Sequence, residues 1–162
     1  MALTIGFWIL AVVAVIGALL VVVLKDVFRA ALSLVLALVA VAGIYVTLSA
    51  DFLAGVQILV YVGAISILLI IGIMLTREVQ QGNTTNKFRI PAFLTALVFF
   101  GVLCFVFLST PWQVSGVDPL VPTAGPLAVK LFGEDGYILT VEIAGVLLLA
   151  AIIGAIAMAR EK

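Results

Sequence analysis

Histidine is absent from this chain of 162 residues, and Cys104 is its single cysteine. Those two scarcities remove whole classes of chemistry. A cysteine-ligated iron–sulfur cluster takes four thiolates, a His-ligated haem takes imidazole, and most zinc centres take several of the two residue types together. A Ser-His-Asp hydrolase needs histidine as its base. An intrachain disulfide needs a second thiol, so cysteine usage leaves the redox compartment open. Charge is equally scarce: Asp, Glu, Lys and Arg make up 10% of the chain, and eight acids cancel eight bases. A soluble domain carries about a quarter charged residues. Without a basic run, nothing here points to nucleic acid. Proline is rare and clustered, four of the five (Pro111, Pro119, Pro122 and Pro126) falling in one stretch.

What fills the chain instead is apolar surface, at 66% of residues. A chain this short has too little interior to hide that much aliphatic side chain from water, so lipid must cover the remainder. A bilayer core about 30 Å thick takes roughly 20 residues of helix. Five stretches qualify, at 3–24, 30–50, 52–75, 90–109 and 137–159. The first four carry no charge and the fifth carries Glu142. Each must be helical, because in lipid every backbone N–H and C=O needs a partner inside its own segment. The first stretch lacks the basic flank of a signal peptide and is too long for its apolar region, so it reads as a retained helix. The expectation is an all-α membrane protein, one domain over 1–162, built as a bundle of five transmembrane helices.

The connections sort the charges. Residues 25–29 form a tight turn holding Lys25 and Arg29, and the second and third spans meet at 49–51 with almost no loop. A polar linker occupies 77–89. The longest connection, 110–136, contains a short helical pattern at 127–132 suited to the membrane interface. With the N-terminus outside, Lys25, Arg29, Arg77, Lys87, Arg89, Arg160 and Lys162 all lie on the cytoplasmic side and only Lys130 lies outside. Basic residues favour the cytoplasmic face. The expected topology is therefore N-terminus outside, C-terminus cytoplasmic and 110–136 external, with Trp8 and Trp112 as outer interfacial anchors.

Polar residues inside the spans are the candidate functional positions. Gln57 and Tyr61 stand four apart in the third span and should share a helix face. Gly63, in Tyr61-Val62-Gly63, allows either close packing by a neighbouring helix or a local distortion of its own. Glu142 is the one acid within an apolar stretch, a costly placement that marks function by default. Three roles remain open for it: an interfacial acid near the positive end of its helix, a hydrogen-bond anchor to a neighbouring subunit, or a proton relay. Asp51 opens the third span as an N-cap or first-turn carboxylate.

The third span, DFLAGVQILVYVGAISILLIIGIML from Asp51 onward, resembles the signature of chain 6 (subunit J) of the proton-pumping NADH:quinone oxidoreductase, respiratory complex I. Gln57, Tyr61, Gly63 and Ala64 occupy the matching offsets. EIAGVLLLAAIIGAIAMAR, at 142–160, is similar to that family's last helix, although Thr140-Val141 stands where the family often has Pro-Phe. The resemblance implies a π-bulge near Tyr61-Val62-Gly63. Its switching between π and α forms makes or breaks a hydrated path between the quinone cavity and the first antiporter-like subunit. It also implies a subunit with no cofactor of its own. FMN, iron–sulfur clusters and quinone would belong to partner subunits, and the neighbours would be the quinone-site subunit, small antiporter-like subunits and lipid. The expected setting is a bacterial plasma (inner) membrane. Two other classes remain on the residues alone. A small transporter should show internal repeats and broken helices around a midplane site, and no repeat is evident. A structural spacer would use the glycines scattered from Gly6 to Gly145 as packing points.

Overall fold

The computed structural model describes residues 1–76, 89–112, 123–134 and 136–160. Within them lie six helices: α1 (Ala2–Val23), α2 (Val27–Thr47), α3 (Asp51–Leu75), α4 (Arg89–Ser109), α5 (Ala124–Phe132) and α6 (Ile138–Ala159). All but α5 are long and apolar enough to cross a membrane. At about 1.5 Å per residue, a helix of 22 residues reaches about 33 Å, which matches the hydrocarbon core. The five expected spans are all present. The largest offset is at α2, which begins at Val27 rather than residue 30.

The cause of that offset is Asp26. Its Oδ1 accepts hydrogen bonds from the backbone N–H of Phe28 at 3.0 Å and of Arg29 at 3.3 Å. Those are two of the donors that a helix start leaves without partners. Val27 to Arg29 are thus already helical, and the tight turn expected at 25–29 shrinks to the residues around Leu24, which is extended at φ −68°, ψ 129°. Arg29 also approaches Asp26 at 3.6 Å, but both side chains are well exposed, so the pair adds little. At the far end of α2, Ser49 adopts the left-handed conformation, φ 58°. The N–H of Ala50 then reaches the carbonyl of Tyr45 at 2.9 Å, and the chain reverses into α3 within three residues.

Small residues build the packed part of the molecule. The buried apolar side chains are Ala31, Ala37, Ala40, Ala42 and Ala54. At Gly17 a Cβ would fall 3.0 Å from the Ala37 Cβ and 3.2 Å from its Cα, so α1 and α2 touch almost backbone to backbone. Gly43 makes the reciprocal space for Leu10, whose methyl groups would stand about 3 Å from any added Cβ. Such close approach is how membrane helices gain van der Waals contact when lipid offers no hydrophobic drive for pairing. α3 packs along α2 through all of its segments. The second half differs. Among the described residues, α4 and α6 bury none of theirs, and α6 packs on α5 alone. The short interfacial pattern at 127–132 is found inside α5, three residues longer at its start.

A candidate coupling element in the third transmembrane helix

α3 is not a uniform helix. Asp51–Val56 is α, Gln57–Ile65 is a nine-residue π-helix, and Ser66–Leu75 is α again. In a π-helix each N–H reaches back five residues instead of four, and such segments concentrate at functional sites. Here the register is seen directly at Ser66, whose backbone N–H points to the carbonyl of Tyr61 and, three residues back, to that of Gly63.

The two buried polar side chains of the described structure stand at the two ends of this segment. Gln57, 7% exposed, donates from Nε2 to the carbonyl of Leu38 in α2 at 3.4 Å. Ser66, 2% exposed, donates from Oγ to the carbonyl of Tyr61 at 2.7 Å. A buried polar group left without a partner is costly in an apolar setting, and no buried side-chain N or O among the described residues lacks one. Gln57 was singled out by its sequence position. Ser66 was not, although a serine within an unbroken aliphatic run was the available signal.

The central residues sit differently from expectation. Tyr61 is 46% exposed and points away from the bundle, while Gln57 faces α2. The two were expected to share a face; Gln57 is covered by α2 and Tyr61 is not. Val62 and Gly63 are half-buried. An added Cβ at Gly63 would meet one atom within 4 Å, the carbonyl oxygen of Ile58 at 3.2 Å in its own helix. No other helix of the described chain leans on Gly63, so the close-packing role is filled instead by Gly17 and Gly43.

Asp51 is the first helical residue and not the cap. Ala50 holds the cap position, and the Asp51 carboxylate makes no capping hydrogen bond. It is a first-turn acid, well placed against the positive helix end. The side-chain acceptor at this helix start comes from far along the chain: the N–H of Phe52 donates to the Thr123 Oγ1 at 3.4 Å, tying the connection before α5 to the start of α3. Glu142 is exposed, a little more than one turn into α6. Because α6 does not pack on α3, the fold does not bring Glu142 to the π segment.

Residues 17–158 match the family NADH-ubiquinone/plastoquinone oxidoreductase chain 6. The chain belongs to that family. Among its relatives, F(420)H(2) dehydrogenase subunit J of Methanosarcina mazei is 38% identical over 159 residues, covering 96% of this chain and 90% of the relative. NAD(P)H-quinone oxidoreductase chain 6 of Synechocystis sp. is 39% identical over 160 residues, covering 97% and 80%. The chloroplastic NAD(P)H-quinone oxidoreductase subunit 6 of Adiantum capillus-veneris is 35% identical over 158 residues, covering 90% and 79%. This chain 6 protein is accordingly a multi-pass membrane subunit of a quinone oxidoreductase complex. The relatives' names carry different electron donors, F(420)H(2) and NAD(P)H, on subunits of one family.

Proposed function

We propose that this subunit couples quinone reduction to proton translocation through a change of register in α3. In that reading the π form and a continuous α form alternate as the complex cycles, opening and closing a hydrated path between the quinone cavity and the first antiporter-like neighbour. FMN, iron–sulfur clusters and quinone are held by partner subunits, and the chain supplies the moving wall. The carrying observation is the π segment Gln57–Ile65 itself, set in the middle of the helix whose sequence carries the family resemblance. Gly63 is the pivot. Its missing Cβ spares the Ile58 carbonyl in the π form, and glycine lowers the cost of a backbone rearrangement.

Gly63→Val tests this. Valine adds a stiff β-branched side chain at a position where, among the described residues, an added Cβ meets the Ile58 carbonyl of the π turn itself. The expected complex assembles, passes electrons from donor to its early clusters, and loses quinone reduction coupled to pumping. If assembled complex falls while turnover per complex stays normal, Gly63 is a contact point for a partner and the register change is wrong.

The same reading sets the chain in a bacterial plasma membrane with its N-terminus outside. The seven-to-one split of basic residues supports that orientation. Single cysteines at Asn83 and Ser115, both outside the described residues, report it by labelling in intact cells. Labelling of position 83 from outside reverses the assignment.

A further inference from the structure

Gln57 and Ser66 are nine residues apart, and both are buried. An α-helix turns about 100° per residue, so a spacing of nine places two side chains on opposite faces, about half a turn apart. In a continuous α form of α3, one of the two must therefore leave the buried side. The π segment removes that half turn by spreading the same residues over wider turns, and the two polar groups then find buried partners together. Gln57 reaches α2 at Leu38, and Ser66 reaches back five residues to Tyr61, the spacing of the π register itself. In the α register the backbone acceptor for position 66 is Val62, so the serine bond to Tyr61 belongs to the π form.

We propose that Ser66 is the positioning residue that holds α3 in its π register, with Gln57 fixed on α2 at the other end of the segment, and that Ser66–Leu75 is the half that turns when the serine lets go. The direction follows from the anchors. The start of α3 is fixed by the three-residue reversal from α2, by the Thr123 hydroxyl on Phe52 N–H and by Gln57 on α2. Beyond Ile65 the hydroxyl of Ser66 is the one side-chain hydrogen bond until Thr76, which caps the helix end through the Gly72 carbonyl. Releasing the register thus leaves the first half in place and rotates the second, carrying Ser66 away from its buried site. This rests on the coupling reading above and adds the residue that sets its resting position.

The test reads register and not activity, in the whole complex. Leu34 of α2 and Leu69 of α3 line one groove of about 460 Å³. With Cys104 replaced by alanine, cysteines at positions 34 and 69 should join through a short thiol cross-linker in the native register. Ser66→Ala removes the hydroxyl without adding bulk. It should lower the 34–69 product roughly three- to tenfold, the population shift that one hydrogen bond supports. A pair at 34 and 71, about half a turn round from 69, should gain it. Ser66→Thr, which keeps a hydroxyl, should retain the native pair. Unchanged cross-linking in Ser66→Ala overturns the proposal. So does loss of assembly in Ser66→Ala, which makes Ser66 a packing residue. Gly63→Val separates the two levels. If it moves the cross-link while Ser66→Ala does not, α3 switches but Ser66 does not hold it. If it too leaves the pattern unchanged, the register change and its lock fall together.

Discussion

The two halves of this chain meet lipid and neighbours in opposite ways. α1, α2 and α3 bury alanines against one another, with Gly17 and Gly43 cut away to let α1 and α2 approach. α4 and α6 are as apolar and as long, yet among the described residues they bury nothing within the chain. Hydropathy alone does not distinguish them, since lipid tails satisfy leucine and phenylalanine as well as another helix does. What differs is whether the surface finds a fit: the first half pairs Gly17 with Ala37 and Gly43 with Leu10 across a contact, whereas α4 exposes Phe93, Phe99, Phe100, Phe105 and Phe107, and in α6 an added Cβ at Gly145 or Gly154 meets nothing within 4 Å. A three-helix unit thus carries its own packing, which the remaining spans do not find among the described residues. The π segment sits in the self-packed half, against α2, where a change of register meets a defined neighbour.

Gly17→Leu should break this contrast most severely. Its side chain would enter a contact that already holds an added Cβ to 3.0 Å from Ala37. Overpacking typically costs about 1–3 kcal/mol, and a neighbour that is partly backbone puts this case at the top of that range. The expected result is a large fall in assembled complex on native gels, with normal turnover in what remains. Normal assembly would mean that the α1–α2 contact is looser than described.

A paired substitution sharpens the comparison. In nanodiscs holding this chain alone, Leu10→Ala empties the space opposite Gly43 and should destabilise the folded state by about 1–3 kcal/mol, the lower part of the range for core truncations. Phe100→Ala removes a larger side chain but no packed one, and should stay within about 0.5 kcal/mol. Equal effects in a thermal or denaturant titration would erase the distinction between the halves.

The smallest effect is expected at Glu142. Exposed and about one turn into α6, it does not reach the π segment. Glu142→Gln should keep most quinone-coupled pumping in the assembled complex. Pumping abolished with assembly intact would make it a proton relay.

The spans were legible because lipid permits few alternatives to helix, and long charge-free runs announce themselves. Their ends were legible to within three residues. The miss at α2 came from reading Asp26 as part of a turn when its carboxylate begins the next helix. The π segment was legible through the family resemblance and not through its residues, since nothing in Gln57–Ile65 by composition demands a five-residue register. Ser66 was passed over because its partner, Tyr61 O, belongs to no α-helical spacing. The Leu38 acceptor of Gln57 and the Thr123 acceptor of Phe52 were out of reach for a different reason, being contacts across 19 and 71 positions of chain. The failure of α4 and α6 to pack left no trace in hydropathy, for the reason already given.

The half of α3 proposed to turn, Ser66–Leu75, contains no ionisable side chain at all. Moving one elementary charge through a membrane potential involves about 2.3 kcal/mol per 100 mV. A segment without formal charge does essentially no such electrical work when it turns. Its resting position should therefore be indifferent to voltage. Back-pressure from an energised membrane would have to reach this element through charge carried elsewhere, and not through any gating charge of its own.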